Sequence, residues 1–301
     1  MITSARPPRG VAAGVAAAAA TAGAGTAQAT RSRSLSGVLA AARAEGRAAL
    51  IGYLPAGYPT VAGAGAAMQA MVEAGVDVIE VGLPYSDPLM DGPTIQAAAE
   101  AALAGGTTTA DVLDTVTRVA STGAPAVVMS YWNPIERYGV ERFVAGLAAA
   151  GGAGVITPDL TPDEAGPWLA AARGRDLDTV FLVAPSSTDA RIAYTAGHCR
   201  GFVYAASTMG VTGARTSVSG AAQTLVARVR AASDLPVCVG LGVSNGAQAA
   251  EVAAFADGVI VGSAFVRLLL DAPSASAGVT SVAALAAELA AGVRARSAAP
   301  A

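Results

Sequence analysis

The sequence contains no lysine: all 19 basic residues are arginine. A Schiff base to a carbonyl substrate needs a lysine amine. Amine-based aldolase and decarboxylase chemistry is therefore excluded, as are P-loop nucleotide sites built on Gly-Lys-Ser/Thr. One histidine, His198, and two cysteines, Cys199 and Cys238, are too few for a multi-histidine or multi-thiolate metal site, so no metal is expected. Adjacent side chains diverge, so His198 and Cys199 read as a surface histidine and a buried thiol rather than a nucleophilic dyad. Two unpatterned cysteines suggest a reducing compartment, and a cytoplasmic location is expected.

Charge is also scarce. Only 14% of residues are charged, the net charge is −3, and the arginines are scattered, so no basic stripe invites nucleic acid or anionic lipid. Residues 1–34 nearly lack large apolar side chains and are expected to form a disordered, low-complexity leader. Arg6 and Arg9 ahead of an alanine run ending near Ala27-Gln28-Ala29 faintly imitate an export signal, but the run is alanine and glycine where leucine is expected. No later segment runs to membrane-spanning length without Gly, Pro or charge, so no membrane domain is expected. Whatever chemistry occurs must rest on carboxylates, hydroxyls and backbone.

From Leu35 onward, short β-prone runs appear: 49–55, 76–84, 124–132, 154–160, 178–185, 201–207, 235–242 and 256–263, separated by alanine-rich helical stretches. The runs lack polar alternation, as expected of parallel strands covered on both faces. Eight units in strict alternation predict a (β/α)8 TIM barrel over 35–301 behind the N-terminal extension, with a doubly wound open sheet as the alternative. Leu35 to Glu45 reads as a helix closing the barrel bottom and Val279 to Arg296 as the last outer helix.

The stretch "VIEVGLPYSDPLMDGPTIQ" (78–96) places Glu80 at the end of an apolar strand. By alternation Glu80 shares a face with Val78 and Val76, and in register that face is the barrel interior. A buried, unpaired carboxylate at a strand's carboxyl end is a candidate acid or base, whereas an outward Glu80 would pair with an arginine. Asp91 precedes Gly92-Pro93 and a helical run, so it reads either as a helix cap or as the second member of an acid–base pair. Gly210, Gly213, Gly242, Gly262 and Ser263 follow strands six, seven and eight, where barrels commonly bind phosphate.

Residues 79–96, "IEVGLPYSDPLMDGPTIQ", form a long signature that resembles the tryptophan synthase alpha chain family. "YLPAGYPT" (53–60), "SYWNPIERYG" (130–139), "GVITPDLTPDE" (154–164), "APSSTDARI" (184–192), "GFVYAASTMGVTGAR" (201–215), "GLGVSN" (240–245) and "VGSAFV" (261–266) follow in family order. The resemblance implies retro-aldol cleavage of indole-3-glycerol phosphate to indole and glyceraldehyde 3-phosphate, with Glu80 as the proton shuttle and Asp91 steadying charge at the indole N–H. It also implies Tyr204 as an active-site tyrosine, Tyr53 and Met129 in the indole pocket, and Thr212 on a mobile loop. Gly213, Gly242, Gly262 and Ser263 would bind phosphate. It implies no cofactor on this chain and an α2β2 complex in which Pro84 and Asp87 meet a pyridoxal-phosphate β chain. A stand-alone indole-releasing lyase and a catalytically silent phosphate-binding barrel are the alternatives. Thr161 departs from the family pattern, standing where a second proline is common.

Overall fold

The computed structural model describes residues 34–206 and 220–295. The leader expectation, apart from Ser34, lies outside the described residues, as do Gly210, Thr212 and Gly213. The order of elements is α1 (Leu35–Ala44), β1 (Ala49–Pro55), α2 (Val61–Glu73), β2 (Val78–Gly82), α3 (Pro93–Ala104), α4 (Thr109–Ser121), β3 (Ala126–Met129), α5 (Trp132–Tyr138) and α6 (Val140–Ala149). It continues with β4 (Gly154–Thr157), α7 (Gly166–Gly174), β5 (Asp178–Val183), α8 (Asp189–Ala196), β6 (Val203–Ala206), α9 (Gly220–Ala232), β7 (Val237–Gly240), α10 (Gly246–Ala253), β8 (Gly258–Val261), α11 (Ser263–Leu270) and α12 (Ala275–Arg294). The strands pair in parallel in chain order, and β8 returns to β1 to close the barrel. An open sheet is therefore ruled out.

Eight strands fall where the apolar runs lie, but strict alternation does not hold, since twelve helices are found among the described residues. The β2–β3 and β3–β4 connections each hold two helices. Gly106 (φ 82°) and Gly139 (φ 95°) adopt left-handed backbone that no helix continues through, and Thr108 with Asp111 forms a capping box that starts α4 afresh. Five other helices begin on a hydroxyl or amide cap: Ser34, Thr60, Thr188, Asn245 and Ser274 each accept the backbone N–H three residues on.

Two apolar layers hold the barrel. Ile51, Val78, Val127, Ile156, Val180 and Ile260 fill its interior, and Leu35 and Leu39 of α1 plug it from below. Leu50, Ile79, Val81, Val128, Phe181 and Val259 face the ring of helices. Val76 belongs to this outer layer, not to the interior face of Glu80. Its N–H bonds to the Met71 carbonyl in the turn out of α2, so it precedes the strand and the alternation does not reach it. The α12 helix is the one described helix long and apolar enough to cross a membrane (mean hydropathy 1.5); it packs across α2, α10 and α11 as the closing outer helix.

Candidate active site

Parallel pairing puts residues in register on the same face, and β1 pairs with β2 so that Tyr53 lies beside Glu80. Both point inward. Above the apolar plug, Tyr53, Glu80, Asp91, Met129, Tyr204, Gly242, Gly262 and Ser263 line a single cavity at the carboxyl ends of the strands. Met90, Ile95, Pro158, Leu182 and Ile260 supply most of its apolar wall. Eight of the expected site residues thus meet in one place.

Glu80 is 2% exposed, and its Oε1 has no hydrogen-bond partner among the described residues. Among the described residues no arginine pairs with it and it lines the interior cavity, so the outward, ion-paired alternative falls. Burial raises its pKa to about 8, leaving the carboxyl mostly protonated yet easily ionised near neutrality. A group in that condition can give a proton and take one back.

Asp91 does not cap α3. The cap is Gly92, with Pro93 at the first helical position. The Asp91 carbonyl accepts from Gln96 Nε2 at 2.8 Å, and its carboxylate lies close to the Tyr131 hydroxyl. Burial pushes the Asp91 carboxyl above its usual range, while the Tyr131 hydroxyl partly offsets this. Burial raises the Tyr53 and Tyr204 hydroxyls well above the ordinary phenol value, so both remain neutral donors.

The opposite wall carries the glycines. Gly242 holds φ at 71°, a left-handed turn that suits glycine, and Gly262 caps α11 without any side-chain bond. A Cβ on Gly262 would come within 3.2 Å of the Tyr53 ring. The first N–H groups of α11 therefore face the cavity without a capping side chain. The N-terminus of neighbouring α10 is already engaged, with Asn245 accepting from Gln248 and Glu288 Oε1 accepting from Gly246 N at 2.7 Å. An anion fits at α11, where the helix dipole is not yet offset.

Pro84 and Asp87 do not line this cavity. Pro84 is buried beside an outer groove with Tyr85, Ser86, Asn133 and Arg137, and Asp87 is exposed, accepting from Ser86 Oγ at 2.6 Å. His198 and Cys199 are engaged separately. His198 Nδ1 lies 2.8 Å from the Tyr194 carbonyl, and the Cys199 thiol, raised to about 12 by burial, points at the Phe181 carbonyl. No group of three or more metal-ligating side chains occurs among the described residues.

Two contributors have no sequence signal. Tyr131 accepts from Met90 N at 2.9 Å across 41 positions of chain, and Asp159 accepts from Trp132 N at 2.9 Å. Neither contact follows from local periodicity.

The family model described as Tryptophan synthase alpha chain matches residues 39–294. The tryptophan synthase alpha chain of Salinispora arenicola is 66% identical over 253 residues, covering 84% of this chain and 95% of that one. That of Thermobifida fusca is 63% identical over 260 residues, covering 85% and 96%. Among solved structures, Mycobacterium tuberculosis tryptophan synthase superposes with a TM-score of 0.82 at 60% identity, covering 86% of this chain and 98% of that chain.

Proposed function

The chain belongs to the tryptophan synthase alpha chain family, whose reaction is cleavage of indole-3-glycerol phosphate to indole and glyceraldehyde 3-phosphate, and we propose that Glu80 and Asp91 carry that cleavage here. Protonated Glu80 gives its proton to C3 of the indole ring, producing an indolenine whose positive charge centres on the ring nitrogen. Asp91, ionised, holds that N–H and stabilises the charge. Glu80, now a carboxylate, takes the proton of the glycerol hydroxyl next to the ring. The oxygen lone pair becomes the aldehyde carbonyl, the carbon–carbon bond breaks, and its electrons restore the aromatic indole. Each proton removed is returned, and the indole itself is the electron sink. This route needs neither lysine nor cofactor on this chain.

Gly242, Gly262 and Ser263, with the free end of α11, hold the phosphate, and Gly213 and Thr212 are assigned to the same binding role. Met129 and the ring of Tyr53 wall the indole, and the Tyr204 hydroxyl faces the glycerol. Residues 35–301 form the barrel domain. The partner is a β chain carrying pyridoxal phosphate in an α2β2 assembly, met through Pro84 and Asp87 on the loop between the two carboxylates. Burial of Glu80 with its Oε1 unpartnered among the described residues is the observation that carries the proposal, because a proton-transfer role accounts for an ionisable carboxyl inside an apolar barrel.

The test is indole release from indole-3-glycerol phosphate by the full chain, alone and with its β chain. Release that rises on adding the β chain fits the complex. Equal release under conditions of shown association identifies a stand-alone indole-releasing lyase, and no release in either case leaves a silent phosphate-binding barrel.

A further inference from the structure

The Tyr131 ring, 5% exposed, lies at the junction of β3 and α5, with its hydroxyl beneath the loop that carries Asp91. That hydroxyl accepts from Met90 N at 2.9 Å and lies close to the Asp91 carboxylate, so it faces two neighbouring residues of one loop. The base of the tyrosine is fixed as well. Ser130 Oγ donates to the Tyr131 carbonyl at 2.7 Å, and the next N–H, that of Trp132, donates to Asp159. The ring packs against Tyr85, with centroids 5.6 Å apart, and the Tyr85 hydroxyl accepts from Asn133 at 2.9 Å.

We propose that Tyr131 is a positioning residue for the cleavage: its hydroxyl locks Met90 and Asp91 so that the carboxylate meets the indole N–H at a fixed angle. The proposal rests on the reading of Asp91 as the partner of the indole nitrogen. A carboxylate on a loop has rotational freedom that must be removed before it can stabilise a charge appearing only during the reaction. Among the described residues, the titratable groups around Asp91 are Tyr53 from β1, Tyr131 from the β3–α5 junction with Asp159 behind it, and Glu80 from β2 in the same cavity. Among the described residues no arginine forms an ion pair with Asp91, and Arg267 of α11 is turned to Thr94 Oγ1 at 2.7 Å. Tyr131 is thus the neighbour that favours the ionised form, and without its hydroxyl the Asp91 carboxyl shifts upward.

The experiment is Tyr131→Phe in the full chain, assayed across pH, alongside Asp91→Asn, the double variant and Tyr85→Phe. Phenylalanine keeps the ring contact. The expected result is a fall in kcat of about tenfold with KM within roughly twofold, the size of one lost hydrogen bond to a charged group. The acid limb of kcat/KM is expected to move up by roughly one pH unit. In the Asp91→Asn background the Tyr131→Phe change should add nothing, because the two residues act as one unit. Tyr85→Phe, which loosens the same loop away from Asp91, should leave the acid limb in place. An equal loss from Tyr131→Phe in both backgrounds, an unmoved acid limb, or the same shift from Tyr85→Phe would each overturn the proposal. Asp91→Asn with unchanged turnover would instead sink the underlying reading of Asp91, a distinct result from failure of Tyr131→Phe alone.

Discussion

Asp77 and Glu80 stand three positions apart on the same run of chain, and their surroundings are opposite. Asp77, just below β2, receives Arg47 in a two-point contact at 2.8 and 2.9 Å and the Leu50 N–H at 2.8 Å. Asp257, just below β8, takes the Val237 N–H at 2.9 Å and Arg43 at 2.8 Å, with Arg230 at 3.3 Å. These carboxylates clasp one strand to the next at the amino ends of the barrel. At the carboxyl ends, Glu80 has no cationic partner among the described residues and Asp91 lies beside a phenol. Position in a barrel strand thus separates stability from chemistry: Asp77 and Asp257 below are satisfied, and Glu80 and Asp91 above are left with reactivity.

The sharpest way to break this contrast is Glu80→Gln, which keeps shape and removes the proton shuttle. Cleavage should fall by about 10²–10⁴-fold, while thermal stability stays the same or rises because a buried ionisable group has gone. Turnover like that of the wild type would end the assignment of Glu80. A large drop in melting temperature would place Glu80 with the structural carboxylates.

The converse variant is Asp77→Ala. It takes the two-point partner from Arg47, 10% exposed, leaving it only the exposed Glu45 carboxylate and the Ala48 carbonyl, and removes an acceptor from the Leu50 N–H. A loss of about 3 kcal/mol is expected for breaking such a pair. For a domain of this size that is roughly a 10 °C fall in melting temperature. Turnover per folded molecule at 25 °C should remain intact. Circular dichroism melts paired with the indole assay decide it, since a lowered kcat with an unchanged melt would erase the distinction between the two ends.

Much of this architecture was legible in the sequence because burial on both faces leaves a strong mark. Each of the eight apolar runs contains a strand, and β1 spans the same seven residues, Ala49–Pro55, as its run. Glu80 stood out as a carboxylate in such a run. The helix count was less legible, because alanine-rich segments carry a weak period and the breaks fall on Gly106 and Gly139, whose conformations are clear only in three dimensions. The lower clasps and Tyr131 were not legible at all. Arg47 to Asp77, Arg43 to Asp257 and Tyr131 to Met90 join residues 30, 214 and 41 positions apart, and side-chain partners at such separations are chosen by the closed barrel.

The smallest effect is a matter of sign. Glu80 has its folded pKa raised to about 8 from an ordinary 4.5, so the unfolded chain loses this proton first as pH rises. Its contribution to stability must therefore fall between those two values and reach its full cost above the higher one. For Asp257 burial pushes the pKa up, but the Val237 N–H together with Arg43 and Arg230 outweigh it and leave it below the ordinary 3.8. Its contribution is present above that value and disappears as pH falls through the lower, folded one. Asp178 at the foot of β5, raised to about 6 chiefly by burial, adds a slope of the same sign as Glu80, so differences between variants are the quantity to measure. The melting-temperature gap between Glu80→Gln and wild type should widen in favour of the variant from pH 5 to pH 8. The deficit of Asp257→Asn should stay level over that range and shrink below pH 4. A Glu80→Gln gap that does not change with pH would mean that Glu80 ionises as a solvated carboxylate does, and the contrast between the two ends of the barrel would lose its electrostatic basis.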